Sequence, residues 1–287
     1  MNAQRPLAMA ERIRQELSAL TPTERRAARV LLADYPVAGL ETVARFARRA
    51  GVSGPTILRL IAKLGCSGYA DFQRRLRGEL QARLQSPLNR LPDRESGTAD
   101  GDFLEHFCSV VCANARESVR EIGRADFDSV VELLADFRRP CHLMGGRFSA
   151  AVAEYLYRHL HVIRPRVYRI AGQSERWNEF LLDLGRRDLL MVFDIRRYQQ
   201  DVIDFAVDAA GRGVTVVLFT DQWLSPIARV ARHVFPLRVE APSSWDSAVA
   251  TVTLIEALIA ALTRNKRAEF EGRLQALDRL REGLAAD

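Results

Sequence analysis

Two groups of residues in this chain have the types and spacing to recognise anions. The first is Ser53, Gly54, Pro55, Thr56, Arg59 and Lys63, within GVSGPTILRLIAKLG. A serine cap with proline two residues on marks a helix start, where unpaired N–H groups and the positive end of the helix dipole favour an anion. Arg59 and Lys63 follow Thr56 by three and seven residues. They therefore share a face away from the apolar Ile57, Leu60, Ile61 and Leu64. Such a face suits the base edges and phosphates of a DNA major groove. An ordinary core helix with a solvated charged side is the plainer reading of the same spacing.

The second group is split along the chain. Gly145, Gly146, Arg147 and Ser149 lie in GGRFS, Asp194, Arg196 and Arg197 in DIRRYQ, and Ser244 in PSSWDSA. Bare glycine backbone, a hydroxyl at a helix start and guanidiniums that grip oxyanions in bidentate fashion would hold a phosphate or carboxylate. Asp194 would then accept from sugar hydroxyls. Against this, paired glycines also serve strand-to-helix packing, the arginines could pair with Asp194 or Asp201 or line a dimer surface, and the serines could cap a helix.

The elements that must position these residues differ between the two halves. Up to residue 84 every segment has helical spacing. Thr21, with Glu24 three residues on, opens a helix through TERRAARVLLADY that stops at Pro36. Leu40, Val43, Phe46 and Ala47 form the apolar face of a second helix, ended by Gly51, and Gly65 closes the third. Two short helices joined by a tight glycine turn, the second opening on a serine cap, form a helix-turn-helix pattern. From about 84 to 102 the chain reads LQSPLNRLPDRESGTADGD, a linker. Beyond an amphipathic stretch from Phe103 to Ile122, the apolar runs CHLMG, RVYRIA, LLMVFD, VTVVLFT and HVFPLRV alternate with helical patterns. That alternation predicts a parallel sheet covered on both faces, with ligands beyond the C-terminal strand ends. The apolar run from Ser247 to Leu262 predicts a core or subunit-interface helix.

Charge divides the same way. The 287-residue chain carries a net charge of +6. Residues 1–86 hold fifteen Arg and Lys against seven Asp and Glu, so all the excess is N-terminal. A basic module joined to a near-neutral one fits a polyanion binder with a separate sensing or assembly part. No apolar run reaches membrane-spanning length and no cleavable leader is evident, so a soluble cytoplasmic protein with no membrane partner is expected. Cys66, Cys108, Cys112 and Cys141 fit no secreted framework and read as reduced core thiols. His106, Cys108 and Cys112 could share a helical face but lack a fourth ligand, and neither a metal nor a cofactor is expected.

The stretch from LTPTERRAARVLLADYP through VARFARRAGVSGPTILRLIAKLGCSGYADFQRRL strongly resembles the N-terminal domain of RpiR-type (MurR/RpiR) bacterial transcriptional regulators. The Ser53, Thr56, Arg59 order, Leu64-Gly65, Gly68-Tyr69 and Phe72 carry the likeness, which continues through the C-terminal half. It implies an all-α helix-turn-helix domain over 1–84, a linker over 85–102, and a doubly wound α/β sugar isomerase (SIS) type domain over 103–287. The implied function is operator binding as a homodimer or tetramer, under control of a phosphosugar or related small anion. One departure stands out: where SIS members that bind phosphosugars usually carry Ser-x-Ser-Gly-x-Thr, this chain has Asp194, Arg196, Arg197 and Gln199. A sugar-phosphate isomerase and a ligand-free dimerisation scaffold are the alternatives. Glu154, Glu175, Glu179 and His233 are available as base types, but no spacing singles one out. No catalytic residue is assigned and the chain is expected not to be an enzyme.

Overall fold

Thr21 and Glu24 begin the fold with a reciprocal cap: the Glu24 N–H donates to Thr21 Oγ1 at 3.4 Å and the Thr21 N–H to Glu24 Oε2 at 2.9 Å. This starts α2 (Pro22–Ala33), after α1 (Met9–Glu16). The computed structural model describes residues 9–84 and 102–284. The linker read at 85–102 lies outside the described residues except for Asp102, whose carboxylate caps the next helix. The chain divides into two compact units, residues 1–90 and 91–287.

The first unit continues through α3 (Val37–Leu40), α4 (Val43–Ala50), α5 (Gly54–Lys63) and α6 (Tyr69–Leu84). Leu40 belongs to the short α3 rather than to the helix expected to carry it, because Thr42 caps α4 through the Arg45 N–H. Gly51 adopts φ +62°, and Val52 N–H returns to Ala47 O at 3.0 Å, so the left-handed residue ends α4 and turns the chain into α5. Phe46, Ile57, Leu60, Ile61, Leu64 and Phe72 meet in one core, each buried.

The second unit is built on five parallel strands, β1 (Cys141–Gly145), β2 (Val167–Arg169), β3 (Leu189–Asp194), β4 (Thr215–Asp221) and β5 (His233–Leu237), in the order β2-β1-β3-β4-β5. Every residue of β3 is buried, because helices cover both faces. The helices are α7 (Phe103–Glu121), α8 (Arg124–Ala135), α9 (Ala150–Ile163), α10 (Trp177–Leu181), α11 (Gln200–Gly211), α12 (Val249–Asn265) and α13 (Arg267–Leu284). Strand order reverses between β1 and β3, where Gly145 pairs with Phe193. At such a reversal the two following loops part and leave a crevice.

The cysteines depart from the expectation. Cys66 and Cys141 are buried, but Cys108 and Cys112 are exposed on α7 with their sulfurs 3.8 Å apart.

Candidate functional site

The N-terminal end of α5 carries the first residue group. Ser53 holds the N-cap position, yet its side chain caps no backbone N–H; its Oγ lies 2.9 Å from Thr56 Oγ1. Arg59 Nη2 donates to the same Thr56 oxygen at 3.2 Å. A relay of two hydroxyls thus holds one guanidinium on the exposed face. Thr56 itself is buried and positions Arg59 rather than presenting its own hydroxyl. Ser53 and Pro55 are exposed and Gly54 is half-buried.

Lys63 is placed differently from the free cation its spacing implied. Its ammonium donates to Glu24 Oε2 at 2.8 Å, and that bond, opposed by burial and aided by Thr21, holds the Glu24 carboxyl down at about 2. The last turn of α5 is tied to the first turn of α2.

The second group meets only in part. A cleft of about 290 Å³ opens at the C-terminal ends of β1 and β2. Gly145, Gly146 and Arg147 line it from the β1 loop, with Gln199 and Asp201 at the start of α11. Gly145 is obligatory: a Cβ there would sit 2.7 Å from the Ala150 backbone nitrogen. The Arg147 guanidinium lies 5.4 Å from the centroid of the exposed Phe148 ring. Arg147 backbone N–H donates to Gln199 Oε1.

Ser149 stands at the N-cap of α9, but its hydroxyl faces inward. It donates to Phe193 O at 2.6 Å and accepts from Gly146 N–H at 2.9 Å, stitching the β1 loop to β3. Asp194 is buried and accepts from Ser225 Oγ at 2.5 Å, so the expected contact with sugar hydroxyls does not arise. Arg196 is turned away from the cleft as well. Its side chain is 4 % exposed, its Nε lies 3.1 Å from Asp246 Oδ2, and its guanidinium stacks 4.1 Å from the Trp223 ring centroid. With φ angles of +34° at Arg196 and +58° at Arg197, the loop brings the Arg196 side chain to Asp246 and Glu240, in the segment before α12, and the Arg196 N–H to Asp221. Asp221 is buried and accepts from Arg196 N–H, Tyr198 OH and Trp223 N–H. Burial nevertheless leaves its carboxyl above the usual range. Arg197 is exposed, Ser244 is half-buried, and neither lines the cleft.

The cleft's other wall escaped the sequence. Arg169, Gly172, Ser174 and Trp177 line it from the end of β2 onward. Arg169 bonds Glu154, which also accepts from Arg158. Trp177 is buried, with an indole N–H that has no hydrogen-bond partner. The signal was available: β2 is parallel, so its C-terminal end shares the edge of β1 and β3, and Gly172 takes φ +94° just beyond it. Cations from Arg147 and Arg169, with Asp201, Gln199 and Ser174 as polar neighbours, suit a small anion bearing hydroxyl groups.

A model described as a helix-turn-helix domain of the rpiR family matches residues 7–83, and one described as a SIS domain matches residues 139–261. The HTH-type transcriptional regulator HexR of Escherichia coli (strain K12) is 23% identical over 286 residues, covering 96% of this chain and 94% of that one. Two solved structures share the fold. The sugar isomerase domain of an RpiR transcription factor from Sphaerobacter thermophilus has TM-score 0.58 and 23% identity over 62% of this chain and 99% of that one. NanR of Vibrio vulnificus, solved in complex with ManNAc-6P, has TM-score 0.55 and 19% identity over 97% and 100%. The chain thus belongs to the RpiR family of helix-turn-helix transcriptional regulators, with a SIS domain as its second unit.

Proposed function

We propose that the unit over 1–84 reads operator DNA through the exposed face of α5, and that the unit over 103–287 senses a phosphosugar or related small anion in the cleft between β1, β2 and α11. The observation that carries this is the pairing of an Arg59-bearing recognition helix with a polar crevice at the strand reversal of the second unit. NanR, similar in fold, was solved with ManNAc-6P, which supports a phosphosugar as the effector class. Arg147 and Arg169 hold the anion, while Asp201 and Ser174 take sugar hydroxyls. Operator half-sites require two reading helices, so the working form is a homodimer or a larger even assembly.

Catalysis is not part of this reading. His233 opens β5 at the sheet edge opposite the cleft and bonds Asp126 at 2.8 Å; Glu154 is committed to Arg158 and Arg169. Among the described residues no cluster of three or more His, Cys, Asp or Glu could hold a metal ion, and no helix is long and apolar enough to cross a membrane.

Thermal melting of the full chain against sugar phosphates, sugar acids and amino sugars tests the cleft. A ligand at about 100 times its dissociation constant adds roughly 2.7 kcal/mol to folded-state stability. The shift should disappear in Arg169→Ala and change the protein's affinity for its own upstream DNA. Silence across the panel, or hits indifferent to Arg169→Ala, would instead favour a second unit that only assembles the DNA-reading pair.

A further inference from the structure

The β1 loop has its donors arranged unequally. Gly146 N–H turns inward to Ser149 Oγ at 2.9 Å and Phe193 O at 3.2 Å, and Ala150 N–H returns to Gly146 O at 2.8 Å. Arg147 N–H is the donor that meets the Gln199 side chain, with both residues lining the cleft. The amide lies against bare backbone: a Cβ on Gly146 would sit 2.6 Å from Gln199 Oε1 and 3.3 Å from its Cδ. The other end of the amide is held weakly, Nε2 reaching Asp201 Oδ1 at 3.5 Å.

We propose that the Gln199 amide oxygen occupies the place of an anionic ligand's oxygen, and that the side chain is a displaceable gate governing which anions enter. This rests on the reading of the cleft as an anion site. A neutral amide oxygen is a weaker acceptor than a phosphate or carboxylate oxygen, so a charged ligand that also meets Arg147 or Arg169 outcompetes it, whereas a neutral sugar does not. Gln199 immediately precedes α11 and has several rotatable bonds, so it can leave without disturbing the helix. A Cβ at Gly146 would meet the movable end of Gln199, so a larger residue there would push the gate aside rather than the backbone.

The test is calorimetric titration of the full-length protein with inorganic phosphate, in wild type, Gln199→Ala, Gln199→Glu and Arg169→Ala. Removing the gate should tighten phosphate binding about tenfold, because the ligand no longer displaces an existing hydrogen bond. Gln199→Glu keeps the shape and still accepts from Arg147 N–H, but adds a negative charge, and should abolish binding. Equal or weaker binding in Gln199→Ala, with Arg169→Ala still defective, would overturn the gate and leave the anion cleft standing. Phosphate binding absent from all four proteins would overturn both. Melting curves of each variant, matched to wild type, establish that the comparison is made on folded protein.

Discussion

The Lys63 ammonium donates to Glu24 Oε2 at 2.8 Å across 39 residues of chain, binding α5 to the capping box of α2. A lysine on the exposed side of α5 thereby braces the helix beside it. Lys63→Met should lower stability by about 1 kcal/mol, kept modest because the lysine side chain is 41% exposed and water screens the bond. Chemical denaturation measures the loss, and operator preference should survive it.

The same pair sets an acid limit. The Glu24 carboxyl is held at about 2 against an ordinary value of 4.5, so its contribution is complete above about pH 4.5 and fades as pH falls toward 2. Comparing denaturation midpoints of wild type and Glu24→Gln across that range should reveal a difference that narrows with acid. A constant difference would contradict the pairing.

Arg196 should behave as a structural residue. Arg196→Ala removes a buried guanidinium that meets both Asp246 and the Trp223 ring, and is expected to cost about 3 kcal/mol, as when one partner of a buried pair is removed. Urea denaturation measures it. Loss of ligand binding at unchanged stability would instead restore Arg196 to the cleft.

Thiol reactivity should split in two. Cys108 and Cys112 are exposed, although the contact with Cys112 raises the Cys108 thiol, whereas Cys66 and Cys141 are buried and burial raises both, Cys141 to about 12. A native titration with a colourless aromatic disulfide should modify Cys108 and Cys112 rapidly. Cys66 and Cys141 should react only after unfolding.

Local chemistry was legible and long-range pairing was not. The capping box at Thr21 and Glu24, the left-handed Gly51, the cap position of Ser53 and the strands CHLMG and LLMVFD depend on neighbours within a few residues, and all are present. In the sequence Lys63, Arg196 and Ser149 read as anion contacts, with only local alternatives such as Asp194 or Asp201 for the arginine and a cap for the serine. Their partners, Glu24, Asp246 and Phe193, come from distant elements that only the packed fold brings close. Arg164 shows the same limit: it is fully buried and donates to the Leu134 and Asp136 carbonyls at the end of α8, a cap invisible from RPRV. The cleft wall from Arg169 to Trp177 was missed because β2 is only three residues long and its following loop has no phosphate-like motif.

The central claim is that Arg59, held by Thr56, reads DNA, and fluorescence anisotropy tests it most directly. Full-length wild type, Arg59→Ala and Lys63→Met are titrated onto a fragment of the protein's own upstream DNA and onto a scrambled fragment of equal length. Wild type and Lys63→Met should both prefer the upstream fragment, while Arg59→Ala loses about 1 to 3 kcal/mol of that preference and lowers the salt slope by about 1 at most. An Arg59→Ala protein that is folded and discriminates as well as wild type, or a wild type with no preference, would contradict the account.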